Sequence, residues 1–588
     1  MSFLNTVVGG LTRYLPGIKE VDARSSSPLP TLTLPRWTSL ILPMFITGLV
    51  LIPISYLVAE ILTPDVEMWQ RIWNTVLPRS LGNTLMIVAG VGIGTTVIGA
   101  GFAWLVTAYE FPGRKWFERL FLLPLAIPGF IMGFTFVAIF EYAGPVQTFI
   151  RDNTGNDTAG WFPSINSIWG LILVLTLVLY PYVYLLARAA FREQGASTFE
   201  AARVMGMSRW GAFRRLVLPL ARPSIAAGAL LAMMEAMTDY GTVSFFGIPT
   251  LSERVVVLWN AEFNSGPAFE LASMLLFIGL AFMLLERMMR GKARYYQQGV
   301  RGRRLQRHRL QGRSAWMASG ASFTLLFVAF ILPVSQLVLW VLNEIQYPST
   351  QVDAATYLEL AQNSLQLGLI AAGFVVTLAL IVAYGVRQTS LTSKRRLPRL
   401  LSRFVTLGYA MPGAVIAAGV LAFVNPIDAR VTDFVAEHVD LGDTVYLLTG
   451  TIIALIYAYI VRFMAVGFSS VESSMEKVTP NMEGAARTLG AGPGRVLRRV
   501  HLPLVSAGAI AGAILVFVDV MKELPATFLL RPHGLRTLAT EAYLISKEGI
   551  WDGAAIYGLT ILVVGIIPVL FLMRIGEDQR DRDTDSAC

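Results

Sequence analysis

Long apolar runs alternate with short polar segments along the whole chain. A helix needs about 17–25 mainly apolar residues to cross the hydrocarbon core of a bilayer. Twelve runs are of that order, near 38–62, 81–109, 119–140, 168–187, 223–248 and 270–286, then 316–342, 363–386, 404–424, 444–461, 504–530 and 553–573. The pattern predicts an all-α polytopic membrane protein with about twelve transmembrane helices. The first 37 residues are polar and carry Arg13, Lys19, Arg24 and Arg36. They lack a continuous apolar core ending in a cleavage site, so no removable signal peptide is expected.

Composition narrows the class. Of 588 residues 54% are hydrophobic and 15% charged, and the mean hydropathy is +0.58. A soluble domain is about 25% charged, so a soluble multidomain enzyme is excluded. Disorder is excluded too, because it needs low hydrophobicity. The single cysteine, Cys588, is the last residue. It leaves no intramolecular disulfide and no cysteine-based metal or redox motif. The net charge of +9 lies in segments between apolar runs. Its expected partner is therefore the lipid bilayer, and no nucleic acid is implied. With the N-terminus placed inside, 39 Lys and Arg residues fall in inner segments and 8 in outer ones, leaving only Lys522 within a run. Basic residues concentrate on the cytoplasmic side of membrane proteins, so both termini are expected there.

The segment 287–315 has ten basic residues and no acid. It divides the chain into two sets of six runs. The expected organisation is a cytoplasmic segment 1–37, a first half 38–286, the basic linker 287–315, a second half 316–573 and a cytoplasmic tail 574–588. The halves repeat. Asn83-Thr84 matches Asn363-Ser364. Ala126-Ile127-Pro128-Gly129 matches Ala410-Met411-Pro412-Gly413 at an offset of 284. The same offset relates 201–219 to 485–503, and Glu235 and Asp239 to Asp519 and Glu523. Six runs per half point both copies the same way, which is a parallel repeat about an axis along the membrane normal.

The repeated cytoplasmic segment reads Glu200-Ala201-Ala202, three residues, then Gly206 in the first half. In the second it reads Gly484-Ala485-Ala486, three residues, then Gly490. Glu-Ala-Ala suits a helix start, with an acid near the positive end and small residues for close approach. Glycine suits the turn that follows. This pattern resembles the Glu-Ala-Ala loop of binding-protein-dependent ABC importer permeases of MetI-like fold. The resemblance covers roughly 80–285 and 360–570. It implies two permease domains fused in one chain of a bacterial inner membrane. It also implies a loop helix in each half that docks on a cytoplasmic ATP-binding subunit, hence two copies of that ATPase, and a periplasmic substrate-binding protein. The second half departs from the pattern, because Gly484 stands at the Glu position and Glu483 lies one residue earlier. No G-x-x-x-x-G-K-[ST] motif occurs. The chain is therefore expected not to be an enzyme and to carry no cofactor, with ATP and Mg bound by the partner.

Few ionisable residues remain in apolar runs, and five of them cluster: Glu235, Asp239, Asp519, Lys522 and Glu523. A charge at mid-bilayer costs about 2.5–3.5 kcal/mol on insertion scales, so each needs a reason. Spacing of four residues puts each acid pair on one helix face. Three roles stay open: lining a translocation pathway, capping an interrupted helix or pairing with Lys522, or forming a defined ion site. Gly241 and Pro525 favour interruption. The wording around Asp239 and around Asp519–Pro525 resembles fused ferric-iron importer permeases. That resemblance implies ferric iron as cargo, handed over by the binding protein and moved by alternating access. Carboxylates suit a hard cation. His308, His438, His501 and His533 are dispersed, so the metal-ligand set is left unknown. Other cargoes, such as thiamine, a phosphonate or a polyamine, and an ion-coupled secondary transporter are the alternatives.

Overall fold

The computed structural model describes residues 38–62, 66–155, 157–158, 161–193, 206–261, 266–294, 307–350, 353–392, 397–438 and 448–585. Among these residues, twelve helices are long and apolar enough to cross a membrane. The first six are Leu40–Ala59, Leu77–Ala108, Gly129–Thr154, Ile168–Arg192, Trp210–Thr238 and Gly266–Met289. The second six are Arg313–Gln346, Ala354–Thr389, Gly413–Val435, Ile452–Met475, Gly494–Met521 and Trp551–Leu570.

Several boundaries differ from the apolar runs. The fifth and eleventh spans start and end earlier, at Trp210–Thr238 and Gly494–Met521, the eighth starts earlier, at Ala354, and three more bear on the site. The third and ninth spans begin at Gly129 and Gly413, after 3-10 turns Leu123–Ala126 and Leu407–Ala410. Proline is the cause. It pushes the preceding residue out of helical conformation, and Ile127 and Met411, before Pro128 and Pro412, are both extended. The tenth span runs on to Met475 instead of stopping near 461. Arg462 therefore lies inside a span and not in a cytoplasmic loop.

Proline shapes three further turns as well. Widened π turns occur at Phe213–Val217, Phe327–Ile331 and Leu497–His501. Each ends two residues before a proline: Pro219, Pro333 and Pro503. A proline ring clashes with the carbonyl four residues back and brings no N–H. A one-residue bulge relieves the clash while the helix continues.

The halves interlock. The first span packs on the eighth and ninth, and the sixth packs on the ninth. In return, the seventh and twelfth pack on the third. Tyr457 Oη of the second half donates to the Leu49 carbonyl of the first at 2.6 Å. The repeated Asn-Thr and Asn-Ser pairs hold matching outer turns. Asn83 Nδ2 donates to the Pro249 carbonyl at 2.9 Å, and Thr84 Oγ1 accepts from Leu251 N–H at 3.0 Å. Asn363 Nδ2 donates to the Arg536 carbonyl at 3.1 Å, and Ser364 Oγ accepts from Leu538 N–H at 2.8 Å.

In the first half, between the second and third spans, Glu118 is buried among arginines. Arg114 Nη1 lies 2.8 Å from its carboxylate, Arg188 Nη1 at 3.9 Å, and Arg192 also pairs with it. Arg114 bonds Glu110 too, at 2.8 Å. Strand Tyr109–Glu110 pairs in parallel with His308–Arg309, tying the end of the linker to this cluster. Removing one partner from a buried pair costs about 3–5 kcal/mol. Glu118→Ala is thus expected to lower the unfolding midpoint of the detergent-solubilised protein by several degrees. An unchanged melting curve would mean that the arginines need no counter-charge there.

Candidate functional site: a charged cavity between the halves

The fifth and eleventh spans break at equivalent places. The helix Leu218–Thr238 stops before Asp239, and a short helix Gly241–Phe246 follows. The helix Leu502–Met521 stops before Lys522, and Pro525–Leu530 follows. A helix start leaves backbone N–H groups without partners. The acids supply acceptors. Asp239 accepts from the Thr242 N–H at 2.7 Å and from its hydroxyl at 2.7 Å. Glu523 accepts from the N–H groups of Ala526 at 3.0 Å and Thr527 at 2.8 Å, and from the Thr527 hydroxyl at 2.6 Å.

The third and ninth spans start against the same two carboxylates. A Cβ on Gly129 would come within 2.7 Å of the Thr242 hydroxyl and nearer still to Asp239. One on Gly413 would lie 2.5 Å from Glu523 and collide with Arg462. Only glycine allows that approach. The repeated Pro-Gly therefore serves two ends: proline breaks the span, and glycine lets the new helix start close to the acid. Positive helix ends favour nearby carboxylates.

These breaks surround one cavity of about 180 Å³. Glu235, Asp239, Asp519, Lys522 and Glu523 all line it. Two of the roles left open by the sequence are thus not exclusive: Asp239 and Glu523 cap interrupted helices and also line the cavity. Lys522 Nζ lies 2.9 Å from Asp519. Glu235 is exposed and within electrostatic reach of Lys522. Among the described residues, no group of three or more His, Cys, Asp or Glu is arranged to hold a metal ion.

The cavity has a sixth charge that sequence reasoning missed. Arg462 lines it, with Nη1 3.4 Å from Glu523 Oε1 and its guanidinium 5.6 Å from the Phe463 ring centroid. A basic residue at the end of an apolar run reads as the start of a cytoplasmic loop. The usable signal was that apolar residues resume at once, from Phe463 to Phe468. At the offset of 284 its counterpart is Val178. The arginine belongs to one half only.

The cytoplasmic loops are unequal in what can be described. Glu200, Ala201 and Ala202 lie outside the described residues. Gly206 takes φ +77° and Gly490 φ +78°. In the second half, helix Pro480–Thr488 carries Glu483, Ala485 and Ala486. Gly490 closes it: its N–H bonds the Arg487 carbonyl at 3.0 Å, and the Ala491 N–H bonds Ala486 at 3.0 Å. This paired closure needs a left-handed residue, which glycine supplies. Glu483 points inward and is buried. It lies 2.9 Å from Arg387 Nε and 3.3 Å from His501 Nε2. Arg387 also donates to the carbonyls of Met475, at 2.7 Å, and Val478. The outer face of the helix shows Gly484, Ala485 and Met482, and Leu489 is 86% exposed just beyond it.

Comparison with known proteins agrees with this doubled geometry. The chain is similar to the Fe(3+)-transport system permease protein FbpB 2 of Haemophilus influenzae, 26% identical over 92% of this chain and 98% of that protein. It is similar to the ferric transport system permease protein FbpB of Actinobacillus pleuropneumoniae, 22% identical over 85% of this chain and 72% of that one. The sulfate transport system permease protein CysT of Escherichia coli is 26% identical over 43% of this chain and 91% of its own length. The family described as binding-protein-dependent transport system inner membrane component matches residues 95–295 and again 376–580. The chain belongs to that family, as a multi-pass inner-membrane permease that carries its domain twice.

Proposed function

We propose that the chain is the permease subunit of an ATP-driven importer that moves ferric iron into the cytoplasm. A periplasmic binding protein delivers the cargo, and two copies of a cytoplasmic ATPase supply the work, binding ATP and Mg themselves. Both termini face the cytoplasm. The observation that carries this reading is the central cavity, formed where two broken spans of each half meet. Near full-length similarity to an iron(III) permease supports the cargo. Charge supports it as well: four carboxylates face two cations, Lys522 and Arg462. That excess suits a hard cation better than the oxyanion named for the sulfate relative.

Two repeated halves around one cavity suit alternating access. The second docking loop has a direct line to the spans. Through Glu483 it is tied to Arg387 in the eighth span and to His501 in the π turn that opens the eleventh. Ala485, Ala486 and Leu489 offer the outward surface to the ATPase. Glu483 acts behind them as a positioning residue. The corresponding first-half surface is Glu200, Ala201, Ala202 and Gly206. Asp239 and Glu523 hold the broken spans in place, which leaves Glu235 as the cavity acid most open to cargo.

Deleting the chain in iron-starved cells is expected to abolish uptake of radiolabelled ferric iron. Full uptake without it, in a strain lacking other ferric systems, would reject the cargo. Glu235→Gln is expected to cut uptake about tenfold at unchanged protein level, which corresponds to about 1.4 kcal/mol. Asp239→Asn and Glu523→Gln are expected to reduce folded yield too, since a lost helix cap costs about 1 kcal/mol. Leu489→Asp is expected to release the ATPase in pull-downs while the permease melts normally. Glu483→Gln should instead lower the melting midpoint. Retained ATPase with Leu489→Asp would place the docking face elsewhere.

A further inference from the structure

We propose that Tyr240, Ser244, Tyr543 and Lys547 form a latch that closes the cavity on its outer side and must open each time cargo enters. The proposal rests on the alternating-access reading above and adds the residues that hold the outer gate.

Tyr240 lines the cavity directly after Asp239. From there the short helix Gly241–Phe246 leads away from the cytoplasm. The second half reaches across to it with helix Leu538–Lys547. The Tyr240 and Tyr543 hydroxyls, both on buried side chains, lie 2.8 Å apart. The Tyr543 hydroxyl also donates to Ser244 Oγ at 3.1 Å. Lys547 Nζ donates to the Ser244 carbonyl at 2.6 Å. It stands 4.8 Å from the Phe245 ring centroid and 5.8 Å from that of Tyr543. Apart from the Lys547–Tyr543 approach within the helix, each of these contacts joins one half to the other.

The chemistry suits a contact that is made and broken. A helix as short as Gly241–Phe246 ends in carbonyls without helical partners, and its C-terminal end carries partial negative charge. The Lys547 ammonium meets both needs. When such hydrogen bonds open to water they are replaced by bonds to water, so the net cost of each is small. Parting a packed apolar seam exposes area that water does not repay.

The latch is one-sided. Thr250-Leu251 and Thr537-Leu538 start matching helices, an offset of 287. On that register the counterparts of Tyr543 and Lys547 are Val256 and Asn260. At the offset of 284 the counterparts of Tyr240 and Ser244 are Leu524 and Phe528. The second copy of the seam therefore lacks these hydroxyls and the ammonium. With the hydroxyl pair and the ammonium on one edge only, the gate opens from the tyrosine side, where each broken bond is replaced by a bond to water.

The test uses the full chain with its ATPase in right-side-out membrane vesicles. Cys588→Ser removes the native thiol, and Thr238→Cys places a reporter on the cavity wall. A membrane-impermeant maleimide added outside reports outward opening, with no cargo needed. Tyr543→Phe together with Lys547→Met is expected to raise the nucleotide-free labelling rate about tenfold. Tyr543→Phe alone, which keeps the ring, should give a smaller rise and guards against misfolding of the double variant. Labelling unchanged in both variants overturns the latch. ATP with vanadate should speed labelling in the chain with the latch intact. If it does not, the alternating-access reading fails and takes the latch with it. A failure of ferric iron as cargo would show only in uptake and leave this result standing.

Discussion

A helix interrupted inside a bilayer exposes backbone N–H groups where no water can satisfy them. That constraint governs this protein. Asp239 and Glu523 answer it, each by accepting from the first turn of the helix after the break. Because they do, the fifth and eleventh spans can open at mid-protein without losing their backbone bonds. Because Gly129 and Gly413 have no side chain, the third and ninth spans can start against the same carboxylates. Four broken helices then converge on one charged cavity. Remove the caps and the cavity has no stable wall.

Around that shared core the two halves have diverged. The second carries Arg462 against Glu523, where the first has Val178. The second fixes its cytoplasmic helix through Arg387, Glu483 and His501. The first instead places Glu118 amid Arg114, Arg188 and Arg192. The Tyr240–Tyr543 and Lys547–Ser244 contacts occur on one side only. Fusion into one chain permits this: each half meets only one partner, so a surface need not be complementary to its own copy. Pseudo-symmetry sets the frame, and single substitutions assign unlike tasks to the two sides.

The proline-ended π turns show how local chemistry serves the same frame. The widened turns at Phe213–Val217 and Leu497–His501 occupy equivalent positions between the cytoplasmic loops and the spans that line the cavity. Each such turn continues directly into the helix that leads to the cavity, Leu218–Thr238 or Leu502–Met521.

The number of spans, the doubling of the chain and the family were legible in the sequence. They depend on runs of about 20 apolar residues and on short motifs, which a linear reading detects. The five cavity charges were legible for the same reason, since an ionisable residue in an apolar run stands out. What those charges do was not. Whether Asp239 caps a helix or faces cargo depends on which N–H groups lie within 3 Å of it, and the chain's path decides that. Arg462 was misplaced because hydropathy sees the edge of a run and not the helix that continues through it. Glu483 reads as part of an outward motif, yet partners remote in sequence, Arg387 and His501, turn it inward. Sequence alone determined how many membrane-crossing helices the chain holds and how they repeat. Tertiary structure decided which charges meet, because only packing brings residues of different spans within hydrogen-bonding distance.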